Sequence, residues 1–556
     1  MLKMLISGLF LFIMSLLFMF FSMNMLMYNK ILILEWMIFN INSMKMNFIL
    51  VISFKLFLFV FLVLLVSSMI FMYSVSYMDL NNEFYVNRFY YLMLMFLLSM
   101  IFLILSPNML TLLLGWDGLG LISYCLIIYY QKKLSFNSGM LTVILNRLGD
   151  SSLLMIMSFM IMFGSWNLYF YNMNLFMLLM YFLMVFTKSA QLIFMVWLPA
   201  AMMAPTPVSS LVHSSTLVTA GIYLLISYEM MIDFSSKVWV LMISSITMFI
   251  SGIMANLEMD FKKIIALSTL SQLGFMMSIY SLGMTDLTFL HLFIHAFFKS
   301  MMFMCAGSLI HYMLGIQNFR LYMGMFYLYP MKVLMLMLSL FMLCGFPFLV
   351  GFYSKDLIIE YYFLNMMSGF SLMNLIMGTI FTVSYSFRIM MIMLKLGYFM
   401  NLINFKEDFV MIFSMFIMLL IMLNLSKFVF NMFFFEMNIN LIIIYKYFIF
   451  KMMLIGMMIS LIMMENFIDK KMILFIISFF MMDFFYKFVI NKMMNELLFY
   501  EFYFEKGLLE KFSGKIMDFV NYALELLLQY SLYSIKDLLL MYMFMMILMF
   551  ILLLLI

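Results

Sequence analysis

Along this chain the apolar positions do not alternate with polar ones; they run on in unbroken stretches. Crossing a bilayer as helix takes roughly 20 apolar residues. Runs of that order fall near 4–27, 47–75, 89–106, 109–129, 139–163 and 173–196, then near 208–228, 237–257, 263–283, 287–314 and 331–346. Further runs lie near 371–395, 409–430, 440–463, 472–490 and 538–556. Period-2 alternation is absent, which argues against a membrane barrel. The pattern predicts an all-α polytopic membrane protein of about 15–16 transmembrane helices.

Two interruptions stand out. Trp197–Val208 holds Pro199, Pro205 and Pro207, and Cys344–Gly351 holds Gly345, Pro347 and Gly351. Proline removes a helix hydrogen bond and clashes with the preceding turn, so both segments should break a helix. Paired breaks in two halves of a transporter point to an ion site near mid-membrane. The backbone groups they free must face protein or water, never lipid.

From Asp483 to Asp537 the texture changes. Eight acidic and six basic residues fall among recurring Leu, Phe and Tyr, with no proline. This reads as one long amphipathic helix lying along the membrane or against a partner. The expected organisation is N-terminal spans over 1–85, a core over 86–400, further spans over 401–482, the amphipathic helix over 483–537 and an anchor over 538–556.

Composition then sets the solvent. Of 556 residues, 68% are hydrophobic and 10% charged, against about 25% charged in soluble domains. A net charge of +5 over this length makes no nucleic-acid surface. Met (79) and Phe (69) exceed a quarter of the chain, beside four Arg and ten Ala. That bias fits a very AT-rich organelle genome in which AUA is read as Met, as in animal mitochondria. No Arg-rich transit segment opens the chain, the first arginine being Arg88. Against such a background the scarce residues gain meaning: nine of the ten Ala fall between Ala190 and Ala306, and three of the six Pro between Pro199 and Pro207.

A charge at lipid depth costs at least about 2.5–3.5 kcal/mol and marks ion paths or proton relays. Asp117, Lys188, His213, His291, His295, Lys299 and Lys355 all fall in or beside apolar runs. His291, His295 and Lys299 recur at i, i+4, i+8, on one helix face. Each has a plainer reading: Asp117 as a helix cap, Lys188 and Lys355 snorkelling to a surface, His213 as a core histidine. The His291/His295 pair could share a metal, but no third ligand is evident. Taken together, they suggest a transmembrane proton wire. Gly115–Gly120 has the wrong glycine order for a dinucleotide fingerprint. Cys125, Cys305 and Cys344 lack metal or cluster spacing and are expected in the core.

The same residues carry a resemblance. Leu-Gly-Trp-Asp117-Gly-Leu-Gly, Asn146-Arg-Leu-Gly-Asp150, Thr-Lys188-Ser-Ala-Gln, Ala-Pro205-Thr-Pro-Val-Ser-Ser-Leu-Val-His213-Ser-Ser-Thr, His295-Ala-Phe-Phe-Lys299 and Gly-Phe-Tyr-Ser-Lys355-Asp stand in order over about residues 85–395. They resemble the subunit 5 family of mitochondrial NADH:ubiquinone oxidoreductase (respiratory complex I). The resemblance implies an antiporter-like bundle of two inverted five-helix repeats with broken helices, followed by a long C-terminal lateral helix. It implies one proton channel of the pump, driven by quinone reduction elsewhere. Asp117 matches a carboxylate that pairs with Lys188. His213, His295 and Lys299 match a central hydrophilic axis, and Lys355 the terminal lysine of the exit half-channel. Lys263, in Asp260-Phe-Lys-Lys-Ile-Ile-Ala, is a further axis candidate.

The family usually has Glu at Asp117, and the shorter arm should lengthen or re-aim the pair with Lys188. The loop Asn318-Phe-Arg-Leu-Tyr-Met-Gly324 keeps little of the family's pattern and is given no role. By the same resemblance no cofactor sits on this chain; NADH, FMN, iron–sulfur clusters and ubiquinone belong to other subunits. Expected partners are the other membrane-arm subunits, sibling antiporter-like chains among them, and lipids such as cardiolipin, in the mitochondrial inner membrane. Burial can cost an ammonium about 4–7 kcal/mol, and moving one charge against about 200 mV takes about 4.6 kcal/mol. Opening an Asp117–Lys188 pair would thus supply energy of the right size. A stand-alone cation/proton antiporter would use the same residues, and a pure scaffold would need none of them.

Overall fold

In a computed structural model, the described residues are 2–395 apart from 29, 42, 43, 79–82, 172 and 365–367, then 407–434, 448–464 and scattered positions between 492 and 547. The chain divides into two compact units, Met1–Phe479 and Phe480–Ile556. In the second unit, residues 495–500 are helical. The 483–537 helix and the 538–556 anchor read from the sequence lie for the most part outside the described residues.

The first unit opens with α1 (Leu2–Tyr28) and α2 (Phe54–Tyr77), packed along each other. Between them runs an antiparallel hairpin, β1 (Leu32–Ile41) with β2 (Met44–Ile52), in which Trp36 faces Phe48 and their rings stack at 6.0 Å. This corrects the sequence reading, which began an apolar run at 47 and expected helix alone. The run is strand up to Ile52, and helix starts only where the Ser53 side chain accepts the Leu56 N–H.

Ten further spans follow in two sets of five. The first comprises α3 (Glu83–Leu105), α4 (Met109–Ile127), α5 (Lys133–Ile161), a broken span starting with α6 (Leu175–Lys188), and a span over Thr206–Ser227. That last span passes through a short turn at Thr206–Val208, a π-helical stretch Ser209–Thr216, and a regular helix Leu217–Ser227. Because it follows two other short helices, α7 (Trp197–Ala200) and the turn itself (α8), the regular part is α9. The second set is α10 (Phe234–Leu257), α11 (Phe261–Ser281), α12 (Thr285–Tyr312), then, after the single turn α13 (Met325–Leu328), the broken span α14 (Pro330–Cys344) plus α15 (Val350–Leu364), and α16 (Gly369–Leu394). An odd number of crossings makes the second set start from the opposite face, so the repeat is inverted.

The repeat is written into the backbone. Asn108, the N-cap of α4, bridges to Asn167 after α5; Asp260, the N-cap of α11, bridges to Asn318 after α12. Met109 donates to Trp166 and Phe261 to Gln317 at the matching places, at 3.1 and 3.0 Å. The broken helices also close alike. Gln191 N–H reaches the Phe186 carbonyl and Phe346 N–H that of Phe341, each at 3.1 Å, across a left-handed residue: Ala190 (φ 52°) in one, Gly345 (φ 80°) in the other. The first break therefore begins directly after Lys188, ahead of the Trp197–Val208 segment where the prolines placed it. Pro205 and Pro207 instead start the next span, at its N-cap and first turn, where a missing N–H costs nothing.

The spans at 206–227, 261–281 and 285–312 are enclosed on all sides, whereas α1 is largely exposed. The three enclosed spans carry the buried histidines and Lys299, polar groups that need protein around them, whereas α1 is apolar enough to face lipid. The last described helices of the first unit are α17 (Phe409–Phe434) and α18 (Phe448–Met464).

Candidate functional site

The ionisable residues stand on the enclosed helices and on the broken and flanking spans packed beside them. In the first repeat, Asp117 stands on α4, Arg147 and Asp150 on α5, and Lys188 on the last turn of α6. Among the described residues no ion pair joins Asp117 to Lys188. The short aspartate arm meets Arg147 at 3.5 Å, and Arg147 meets Asp150 at 3.2 Å. Lys188 is buried, donates to the Trp116 carbonyl at 3.4 Å, and lies 4.9 Å from the Trp116 ring centre. Asp150 and Asp117 are the carboxylates whose charges act on it. The pairing implied by the resemblance is thus replaced by a four-residue cluster in which arginine stands between the carboxylates. Arg147 and Asp150 were given no role from the sequence, although both sit in the Asn146–Asp150 block.

Lys188 closes α6, where the helix dipole favours a cation. The Trp197 indole donates to the Thr187 carbonyl at 2.9 Å and satisfies one group freed by the break. In the second repeat, Lys355 on α15 donates to the carbonyl of Leu343 on α14. Leu343 stands two residues before Gly345, as Lys188 stands two before Ala190. One repeat places an ammonium on that helix-end position, and the other reaches back to it from the second half-helix. Gly351 permits the reach, since a Cβ there would run into the Met342 carbonyl.

The polar face of α12 lies against α11 and α15. The His291 ring contacts Ser354 Oγ at 3.0 Å and Gln272 Oε1 at 3.3 Å, joining α11, α12 and α15. Lys299 donates to Ser268 Oγ at 2.5 Å. Both ring nitrogens of His295, and both of His213, are buried without a hydrogen-bond partner. Leaving such groups unpaired costs about 1–3 kcal/mol each. A charge on Lys355 acts on His291, His295 and Lys299 alike, which ties these four electrostatically. His213 lies in the π-helical stretch, edge-on to Trp197 with ring centres 6.2 Å apart. There Ser215 and Thr216 hydroxyls donate to the Leu211 carbonyl at 2.9 and 2.7 Å, covering backbone groups the wider turn frees.

Lys263 does not join this axis. It is 41% exposed and pairs with Asp260 at 2.8 Å. Its neighbour Lys262 is the buried one, donating to the Ala204 carbonyl at 3.2 Å just ahead of Pro205. One residue is 100° of helix, enough to turn one side chain in and the next out. Cys125 is exposed, contrary to a core place, while Cys305 and Cys344 are buried. Ser268, Gln272 and Ser354 gave no sequence signal, because hydroxyls and amides recur on every span.

Buried lysines at two broken helices, with an enclosed polar helix packed against one of them, within an inverted repeat, define the antiporter-like class of membrane protein. A profile described as NADH:quinone oxidoreductase/Mrp antiporter, transmembrane, matches residues 106–382. The chain is 55% identical over 420 residues to NADH-ubiquinone oxidoreductase chain 5 of Apis mellifera ligustica, covering 75% of each chain. It is 52% identical to that of Locusta migratoria over 60% of this chain and 59% of the other, and 46% identical to that of Anopheles gambiae over 69% and 67%. The chain belongs to the NADH-ubiquinone oxidoreductase chain 5 family. In fold it is similar to a chain of the Mrp complex of Dietzia sp. DQ12-45-1b, with TM-score 0.71 and 21% identity over 86% of this chain and 56% of that one. It is also similar to one of an archaeal membrane-bound sulfane sulfur reductase, with TM-score 0.65 and 19% identity over 76% and 90%.

Proposed function

We propose that this chain is a core membrane-arm subunit of complex I that translocates protons across the mitochondrial inner membrane. Electron transfer from NADH to ubiquinone on other subunits drives it; the chain itself holds no redox centre. The observation that carries this reading is the enclosed line Lys299, His295, His291 and Lys355 on α12 and α15. Ionisable side chains are kept in a membrane interior at high cost, and a continuous set of them supports proton movement.

In this mechanism Arg147, which holds both Asp117 and Asp150 in the structure, gives up one of them to Lys188 and takes it back as the neighbouring subunit shifts. When both carboxylates turn to Arg147, Lys188 loses its opposing charge, and its proton is driven toward the α12 face. The two ring nitrogens of each histidine let it take a proton on one side and give one on the other. Lys355 holds the proton against the Leu343 carbonyl until it leaves. Sibling antiporter-like subunits and cardiolipin are the expected neighbours of the exposed apolar faces. Homologues named as complex I chains favour this reading over a stand-alone antiporter. Protons pumped per NADH oxidised, measured in reconstituted vesicles, test it: a full ratio in both Lys188→Ala and Lys355→Ala overturns it.

A further inference from the structure

Among the buried lysines that the path described so far does not use, Lys332 is the most deeply enclosed. Lys332 is 0% exposed and its Nζ has no hydrogen-bond partner. It sits in the first turn of α14, at the positive end of the helix dipole, whereas Lys188 and the Nζ of Lys355 lie against negative ends. An ammonium placed there is opposed both by burial and by the helix. Its Nζ stands 3.6 Å from the Tyr312 ring centre and 5.6 Å from that of Tyr329, and these rings stack at 4.7 Å. A cation–π contact offsets only part of the cost of burying a charge.

Glu407 and Asp408, directly ahead of α17, act the other way, supplying the negative charge that favours the ammonium of Lys332. Glu407 Oε1 is itself buried without a hydrogen-bond partner. Asp408 is fixed to the same cage, its N–H donating to the Tyr312 hydroxyl at 2.9 Å. Among the described residues no ion pair joins Lys332 to either carboxylate. A buried donor and a buried acceptor thus face the same cage, each unpaired. Cys305 of α12 also acts on Lys332 and lies six residues beyond Lys299, roughly 9 Å along the helix.

We propose that Lys332 and Glu407, with Asp408 beside them, form a proton-exchange site at the end of α14 opposite Lys355. In the exchange an Nζ–H bond breaks and an Oε1–H bond forms, leaving a neutral amine and a neutral acid with the net charge unchanged. Glu407 then releases that proton to the aqueous face and returns to carboxylate, and Lys332 takes a new one from the α12 side. This rests on the translocation reading above.

The test uses the whole complex, reconstituted in vesicles, with protons pumped per NADH oxidised as the readout. Lys332→Met, Lys332→Arg and the pair Glu407→Gln with Asp408→Asn are compared with Lys355→Met. The ratio is expected to fall in all of them, Lys332→Arg included, because a guanidinium keeps its charge but cannot pass on a proton. A full ratio in Lys332→Met overturns the site. So does a full ratio in Lys332→Arg beside a loss in Lys332→Met, which is the signature of a fixed cation clamping α12 to α14. If Lys332→Met fails to assemble, the Glu407/Asp408 pair decides, and a full ratio there overturns the site. A full ratio in Lys355→Met as well would instead sink the translocation reading.

Discussion

The Asp117 carboxylate lies 3.5 Å from Arg147, and it is this arginine rather than Lys188 that holds it. Arg147 also meets Asp150, so one guanidinium serves two carboxylates on adjacent helices. The Asp117 and Arg147 side chains are 33% and 46% exposed, but on membrane spans that exposure is not to bulk water, so water screening does not weaken the pair. A double-mutant cycle of Arg147→Gln and Asp117→Asn should therefore show a coupling in proton uptake rate well above the roughly fivefold of a water-exposed pair. A coupling of about fivefold or less would mean that water reaches the pair. Asp117→Glu, one methylene longer, should keep uptake and can reach toward Lys188.

Lys188 and Lys355 both serve the C-terminal end of a broken half-helix, one by position and one by reach. Arginine keeps the charge that this end favours but does not release its proton. Lys188→Arg and Lys355→Arg should therefore assemble, yet pump at a small fraction of the native rate. Dye-quench assays on sealed vesicles, beside native-gel assembly, separate the two effects. Normal pumping in either arginine variant would show that only the charge matters there.

The spans were legible because lipid leaves helix as the main way to pair a backbone, and most boundaries fall within a few residues of the apolar runs. The two breaks were legible from proline and glycine. The starting point of the first was not: Ala190 takes the left-handed position that Gly345 fills in the second repeat, and alanine gives no signal of it. The hairpin at 32–52 was missed because β2 is apolar enough to read as the start of a span, while β1 fell outside every run. At the site, the depth of Lys188, Lys355 and the α12 histidines could be read from spacing. The partner of Asp117 could not, since Arg147 approaches across a helix–helix contact that no local pattern encodes.

Lys262 and Lys263 are neighbours with opposite surroundings. Lys262 is buried and bonded to the Ala204 carbonyl, while Lys263 shares a half-exposed pair with Asp260. Lys262→Ala leaves a buried carbonyl unpaired and should cost about 1.5–3 kcal/mol. Lys263→Ala should cost about 0–1 kcal/mol. Thermal midpoints of the purified complex, with proton uptake measured alongside, check this. Equal losses, or a larger loss at Lys263, would restore Lys263 as the axis residue.

Gly351 tests whether the close approach of α15 to α14 is what lets Lys355 reach Leu343. A Cβ at 351 would overlap the Met342 carbonyl oxygen, a backbone atom that cannot swing aside as a flexible side chain would. Gly351→Ala must therefore push the half-helices apart, at a cost of about 1–3 kcal/mol for overpacking. It should also draw the Lys355 ammonium off its carbonyl, so pumping should fall more than stability. Gly369→Ala, where nothing lies within 4 Å, is the control and should be neutral or slightly stabilising, since alanine suits a helix better than glycine. Comparing protons per NADH with the thermal midpoint in both variants tells packing from reach. If Gly351→Ala lowers the midpoint and leaves the ratio untouched, the glycine serves packing alone and Lys355 keeps its carbonyl by another route.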